Sequence, residues 1–368
     1  MLEKIKHFKA KAQAMKKAGG KSLWLGPQKD GITFSLLSKF LNCRERFRVY
    51  AIEGIRPRDE FNHRIHYGEM WHICEQAYGN SSKDNHPVNW PEIWQALHEC
   101  IVGLKQKYPL QQDLIEHWLN VCIVQFPVYV DYWKEHHNRD IWKPFWNEYT
   151  FKIDYTLPSN RTVILRGKFD SVFLNDNQEY FLQENKTKGD IRVEQIRRQL
   201  TFDLQTMFYI TVLSCLLSED TAKNLGGVIY NVVRRPLSGG KGSIVQHKPT
   251  KSNPLGESKA DYYARLKQVI LENVDEFFMR QKVIITDADI QKFRMTCLNP
   301  ILEQLCDWWK WMDSNPTNVF ANKVHWRHPY GLYNIMNEGG EDSVDSYLAT
   351  QSMVGLEKMT KLFQELED

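Results

Sequence analysis

The sequence predicts an α/β (α+β) fold, in which a sheet-forming middle is set between helical blocks. Apolar residues recur at helical spacing over 35–41, over 64–78 and through most of 90–137. From Phe145 the period changes to two, giving strand-like runs at 149–155, 161–174 and 179–188. Residues 193–217 return to helical spacing, and Gly227-Val-Ile-Tyr-Asn-Val-Val then reads as a further strand.

The chain has 368 residues, enough for two domains or one elaborated domain. Its 48 basic and 45 acidic side chains nearly cancel, so bulk charge says little about nucleic acid and local clustering must carry that argument. No apolar run reaches the length of a membrane span, so no membrane association is expected. The Lys-rich start, 1–21, has no apolar core and does not read as a secretory signal. The seven cysteines include no Cys-x-x-Cys pair and are expected to be reduced, in a cytoplasmic setting.

The first helix is expected at Ser35-Leu-Leu-Ser-Lys-Phe-Leu, with Ser35 as N-cap and Leu36, Leu37, Phe40 and Leu41 on one side. The second contains Gly68-Glu-Met-Trp-His72, and Pro87 and Pro91 punctuate the start of the helical stretch beyond it. Asn175-Asp-Asn-Gln is the turn between the last two strands of the middle. Leu237 to Leu255 reads as a loop, and helices are expected at about 258–281, 287–313 and 343–366. The domain division that follows is 1–32 basic N-terminal arm, 33–84 N-terminal helices including His72, 85–144 helical subdomain, 145–236 core, 237–257 flexible loop and 258–368 C-terminal helical region.

The chemistry concentrates between Gly167 and Tyr209. Folding the hairpin about its turn brings Asp170 opposite Glu184, give or take one residue. Both carboxylates share a face only if the loop is odd or a bulge intervenes, so one of these is expected. Glu184 and Lys186, two apart, lie on the same face. Hard cations such as Mg²⁺ or Mn²⁺ take carboxylate oxygens and keep water ligands, and Lys186 can orient such a water or stabilise phosphate charge. The Asn185 backbone carbonyl is a further candidate ligand. The bland alternative is an exposed hairpin with a surface ion pair. The neighbours Phe169, Val172, Phe173, Tyr180, Phe181 and Leu182 weigh against it, because a charge in a buried strand is costly unless paired or metal-bound.

Read as one helix, 193–217 places Ile196, Leu200, Leu204, Met207, Phe208 and Thr211 on one side and Glu194, Arg198, Gln205 and Tyr209 on the other. Gln205 and Tyr209 then hold a phosphate or brace Lys186. His72 is a ligand candidate if its helix packs over the hairpin. Lys168, Lys186, Lys188, Arg192, Arg197, Arg198, Arg234 and Arg235 gather basic charge for sequence-independent, salt-sensitive phosphate contacts. Trp71, Trp90, Trp94, Trp308, Trp309 and Trp311 are candidates for stacking unpaired bases, with core packing as the alternative.

In order, His72, Gly-Lys-Phe-Asp170, Glu184-Asn-Lys186 and Gln205-x-x-x-Tyr209, with the opening Ser35-Leu-Leu-Ser-Lys-Phe-Leu-Asn-Cys43-Arg-Glu-Arg-Phe, resemble the RecB-like and Cas4-like branch of the PD-(D/E)xK nuclease superfamily over about 33–235. The resemblance implies a restriction-endonuclease-like core, with a mixed central sheet flanked by helices. It also implies metal-dependent cleavage of DNA. Asp170, Glu184 and Lys186 would be catalytic. His72, Asp170 and Glu184, with the Asn185 carbonyl, would ligate Mg²⁺ or Mn²⁺. Gln205, Tyr209, Arg198, Lys188 and Lys168 would bind substrate.

Many members of that branch hold an iron–sulfur cluster through one early and three late cysteines. Cys43 stands at the first position, but Phe320 to Met336 contains no cysteine, so no cluster is expected. A metal site using His325 or His328 is a minor alternative. The expected activity is an exonuclease acting on DNA ends or single strands in repair, recombination or phage replication, alongside other replication or recombination proteins. A structure- or site-specific endonuclease and a non-catalytic DNA-binding or scaffold module are the alternatives.

Overall fold

The computed structural model describes residues 22–81, 87–137, 143–200, 203–236, 244–314, 347 and 352–366. The basic stretch 1–21, all of 237–243, His325, His328 and, of the helix expected at about 343–366, residues 343–346 and 348–351 lie outside the described residues. In chain order the main elements are α1 (Phe34–Asn42), β1 (Ile55–Pro57), α2 (His63–Ser81), α3 (Trp90–Lys107), α4 (Gln112–His137), β2 (Lys143–Thr156), β3 (Thr162–Leu174), β4 (Tyr180–Lys188), α5 (Val193–Leu200), α6 (Leu204–Leu216), β5 (Leu225–Arg234), α7 (Lys259–Glu272), β6 (Phe278–Ile284), α8 (Asp287–Phe293), α9 (Asn299–Ser314) and β7 (Leu356–Lys358).

Five strands form the central sheet in the order β2-β3-β4-β5-β6. β3 and β4 are antiparallel, β4 and β5 parallel, and β5 and β6 antiparallel, so the sheet is mixed. Helices flank it, the arrangement of a restriction-endonuclease-like fold. The interior strands read as near-continuous apolar runs because both faces are covered: β5 is buried from Gly226 to Arg234. The chain divides into two units, one of 1–59, 150–168 and 291–368, the other of 60–149 and 169–290.

In the first unit, Trp24, Phe40, Phe47, Trp308 and Trp309 pack edge to face, with centroids between 5.0 and 5.6 Å apart. Arg161 at the β2–β3 turn pairs with Glu303 and Asp307 on α9. In the second unit, Tyr67, Trp71, Phe126, Tyr129 and Phe278 lead a core shared by α2, α3, α4, α7 and β6. Trp71 and Trp308 are thus core residues, not stacking platforms. Trp90 and Trp94 stack on each other, half-buried, and Trp311 stays exposed.

Four expectations are corrected. The N-cap of α1 is Thr33 rather than Ser35, its hydroxyl accepting from the Leu36 amide at 3.2 Å. The 193–217 helix is two helices, because extended Asp203 starts α6 anew, its carboxylate accepting from the Thr206 amide. Glu194 and Arg198 therefore belong to α5, and Gln205 and Tyr209 to α6, rather than to one polar column. The helix expected over 258–281 ends at Glu272, and Phe278–Ile284 instead pairs with β5, since the β5 edge offers hydrogen bonds that outweigh a weak local helical preference. Leu356–Lys358, inside the expected last helix, pairs with β1.

The β4–β5 register skips a residue between Tyr180 and Phe181, at a step where Gly226 and Gly227 stand on β5. Gly227 has φ of 131°, and a Cβ there would sit 2.1 Å from the Val283 carbonyl oxygen. Gly227→Ala should lower stability by about 2 kcal/mol or more through strain and displaced backbone. Urea unfolding of the two proteins measures this, and equal midpoints would contradict it.

Candidate active site and cation cluster

The β3–β4 hairpin closes on an odd loop, one of the two devices expected to put both carboxylates on one face. Leu174 pairs with Tyr180, and Asn175 and Glu179 bracket three residues, with Gln178 in the left-handed region at φ 60°. The register Ser171↔Gln183 carries on to set Asp170 opposite Glu184, so both carboxylates leave the same face. Asp170 Oδ2 accepts from the Asn185 amide at 2.7 Å.

Glu184 is 1% exposed. Its Oε1 accepts from Lys186 Nζ at 2.5 Å and from Gln205 Nε2 at 2.7 Å, while Gln205 Oε1 accepts from Lys186 at 3.1 Å. The three side chains form a closed triangle. Glu184 Oε2 is buried with no hydrogen-bond partner. Such an orphaned lone pair is costly unless something fills it.

α2 supplies the imidazole. At Gly68 a Cβ would already approach Thr187 Oγ1 to 3.2 Å, so glycine lets the helix lie against β4. One turn later, His72 Nδ1 stands 3.7 Å from Asp170 Oδ1. The sequence reading missed the third member, Glu148. One ligand atom from each of His72, Glu148 and Asp170 lies within 4.8 Å of the others. Glu148 sits inside β2 at φ 50°, in the left-handed region that a non-glycine residue rarely occupies in a strand. Its neighbour Asn147 anchors that kink, donating to the Gln76 carbonyl of α2 at 2.8 Å and accepting from Ser171 Oγ at 3.0 Å. Nothing in Trp-Asn-Glu-Tyr announces a left-handed residue, so no sequence signal marks Glu148.

Electrostatics favour a cation. Burial, reinforced by Asp170, pushes the Glu184 carboxyl up to about 7, against the pull of Lys186 and His72. Burial opposes charge on Lys186, but Glu184 and Asp170 more than offset it and raise its pKa. His72 is lowered, first by burial and also by Lys186, against Glu148, Glu184 and Glu75, which leaves the neutral imidazole that ligates metals. About a third of the His72 side chain is exposed, so burial acts on part of the ring only. Three carboxylates, an imidazole and an unfilled Glu184 oxygen fit a hard divalent cation by the chemistry of the donor set.

The remaining candidates divide. A cavity of about 700 Å³ is lined by Lys186, Lys188, Arg198, Gln205 and Tyr230 among others. Tyr209 packs edge to face on Phe169, the residue before Asp170, at 5.8 Å. Lys168 is exposed on β3 in the part assigned to the other unit. The Asn185 side chain is held by Gln183 and Asn231 at 2.9 and 2.8 Å.

The family model of the PD-(D/E)XK nuclease superfamily matches residues 32–291, more than half of the chain. No curated protein matches it. Among the described residues no helix is long and apolar enough to cross a membrane.

The pH dependence has a definite sign. Glu184 holds its proton more tightly folded than unfolded, so its contribution to stability is present below its ordinary 4.5 and lost as pH rises through about 7. His72 acts oppositely, adding stability as pH rises through its ordinary 6.5. In EDTA, wild type should therefore lose more stability than Glu184→Gln between roughly pH 5 and pH 7.5. Urea midpoints at the two pH values measure this. Parallel behaviour of the two proteins would remove Glu184 from the account.

Proposed function

The chain belongs to the PD-(D/E)XK nuclease superfamily, and on that premise we propose that it is a DNA exonuclease of the RecB-like and Cas4-like type, dependent on Mg²⁺ or Mn²⁺. The observation that carries the reading is the buried Glu184 carboxylate, with one oxygen tied to Lys186 and Gln205 and the other unfilled beside Asp170. That is an expensive arrangement for a structural residue and an apt one for a ligand.

In this reading His72, Asp170 and Glu184 hold the cation, with the Asn185 carbonyl and Glu148 as further ligands. A divalent cation there would neutralise phosphate charge and acidify water. Lys186, kept protonated by its carboxylate neighbours, orients the attacking water and stabilises negative charge on the phosphorane-like transition state. Gln205 holds Lys186 and Glu184 in register, so the ammonium cannot swing away with a bound phosphate. Arg198 and Lys188 place cations in the cavity beside Lys186, suited to a phosphodiester backbone. Tyr209 and Lys168 remain candidates for contacts with substrate. Residues 145–236 form the nuclease core, 33–84 contribute His72, and 85–144 roof the cleft and confine a strand. The work proposed is cytoplasmic, in repair, recombination or phage replication, without an iron–sulfur cluster.

Labelled linear, circular and single-stranded DNA, incubated with Mg²⁺, Mn²⁺ or EDTA, test this on a gel. Loss from ends only supports the exonuclease, whereas nicked circles mean an endonuclease. Binding without cleavage under either metal would leave a scaffold module. Asp170→Ala and Glu184→Ala should abolish cleavage with the fold retained by circular dichroism. Lys186→Ala should slow it by about 10²–10⁴-fold with little loss of DNA binding. Glu148→Gln should weaken Mn²⁺ binding about tenfold or more, read by calorimetry. Near wild-type cleavage by Asp170→Ala would end the assignment.

A further inference from the structure

α2 begins with a charge of the wrong sign. Its first turn, His63-Arg-Ile-His66, contains no acidic residue, although a helix N-terminus carries partial positive charge and favours anions. Asn62 caps the turn, its side-chain oxygen accepting from the Arg64 amide at 2.9 Å. Arg64 is exposed, and His63 is half-buried with its ring stacked on Trp118 at 5.2 Å and 6°.

A second guanidinium stands behind this turn. Arg235, the residue after β5, is 5% exposed, and its Nε is buried with no hydrogen-bond partner. Its main-chain amide is fixed to the Lys188 carbonyl at 2.7 Å. A chain of hydrogen bonds places α2 against this strand end: Tyr67, one turn into the helix, donates to Gln125 at 2.7 Å, which donates to the Arg234 carbonyl at 2.9 Å. Arg234 itself is neutralised by Glu276, but none of His63, Arg64 and Arg235 has an ion pair among the described residues. The three feel one another. Burial holds Arg235 below its usual value, with Arg64 adding to this against Tyr67, and His63 is lowered by burial, then by Arg235 and Arg64.

Each feature alone is unfavourable: a guanidinium at the positive end of a helix, a buried guanidinium without a carboxylate, and like charges near one another. One ligand cancels all three. We infer that the N-terminal turn of α2, with His63, Arg64 and Arg235, is a second anion site that takes a phosphate of the DNA strand away from the bond being cut. The inference rests on the nuclease reading for the identity of the anion. His63 precedes His72 by nine residues of one helix, about 13.5 Å at 1.5 Å per residue. The anion site therefore sits about four B-form rises from the cation cluster, and the same helix fixes both ends of that ruler.

Anisotropy of a labelled single-stranded oligonucleotide in EDTA, titrated at several KCl concentrations, tests it. The full-length wild type is compared with Arg64→Gln and Arg235→Gln. Each variant should bind about tenfold more weakly at low salt, with the slope of log affinity against log salt shallower by about 0.7. An oligonucleotide with a 5′-phosphate and one with a 5′-hydroxyl separate the sources. A difference confined to the 5′-phosphate form assigns the site to a strand end, and an equal loss in both assigns it to an internal phosphate. Thermal melting with inorganic pyrophosphate covers any folding defect. Wild type should be stabilised and Arg235→Gln not, with Arg235→Gln at least as stable as wild type when no anion is present. Wild-type affinity and slope in both variants, or equal pyrophosphate stabilisation, would overturn the inference. Cleavage of the same oligonucleotide by wild type with Mn²⁺ is read in parallel. Cleavage with unaffected variants sinks only the anion site, while affected variants without cleavage sink only the nuclease reading.

Discussion

A carboxylate held at 1% exposure is the constraint around which this site is organised. An ionised Glu184 cannot stay in a covered strand without partners that replace water. Lys186 and Gln205 supply them to one oxygen, and they come from different elements for a reason. Lys186 is two residues along the same strand, where the pleat returns to the same face. Gln205 comes from α6, whose start is set by Asp203. That carboxylate accepts from the Thr206 amide and also from the Tyr230 hydroxyl at 2.9 Å. Tyr230 is paired with Glu184 in the β4–β5 register, so helix start and strand are tied at the level of the site.

The imidazole side is secured by a polar seam between α2 and the sheet. Glu75, one turn beyond His72, accepts from Asn231 Nδ2, which also reaches Asn185 and the Tyr129 hydroxyl. Arg280 on β6 closes the seam, donating to Asn231 and Tyr129 at 3.1 and 2.9 Å. Each such bond adds only about 1 kcal/mol net, yet leaving any member unpaired costs more, so the seam specifies one placement of the helix. Asn147 does the same for β2. Its bonds to Gln76 and Ser171 hold the strand where it kinks, and the kink aims Glu148 at His72 and Asp170.

Much of this was legible because the decisive distances are short in sequence. The period of two ties Glu184 to Lys186, and the hairpin register ties Asp170 to Glu184. The apolar neighbours Phe169, Phe181 and Leu182 announced that the pair is buried, and all three are fully so. Superfamily membership was readable from the same residues, since their order along the chain survives without any fold information. The features that escaped depend on competition between local and distant partners. Phe278–Ile284 has no strong alternation and became a strand only because β5 offered an edge. Asp203 lies within a continuous helical period and interrupts it only because its carboxylate has an amide and a hydroxyl to bind.

By itself the sequence determined the fold class, the hairpin with its two carboxylates on one face and the pairing of acid with lysine, because each follows from periodicity over a few residues. Only the tertiary structure decided that Glu148 joins His72 and Asp170. It also decided that Gln205 closes a triangle with Glu184 and Lys186, and that Arg235 is buried with its Nε unpartnered. Those groups are separated by tens to more than a hundred residues and are brought together by packing and by one left-handed backbone angle, neither of which has a periodic trace in the chain.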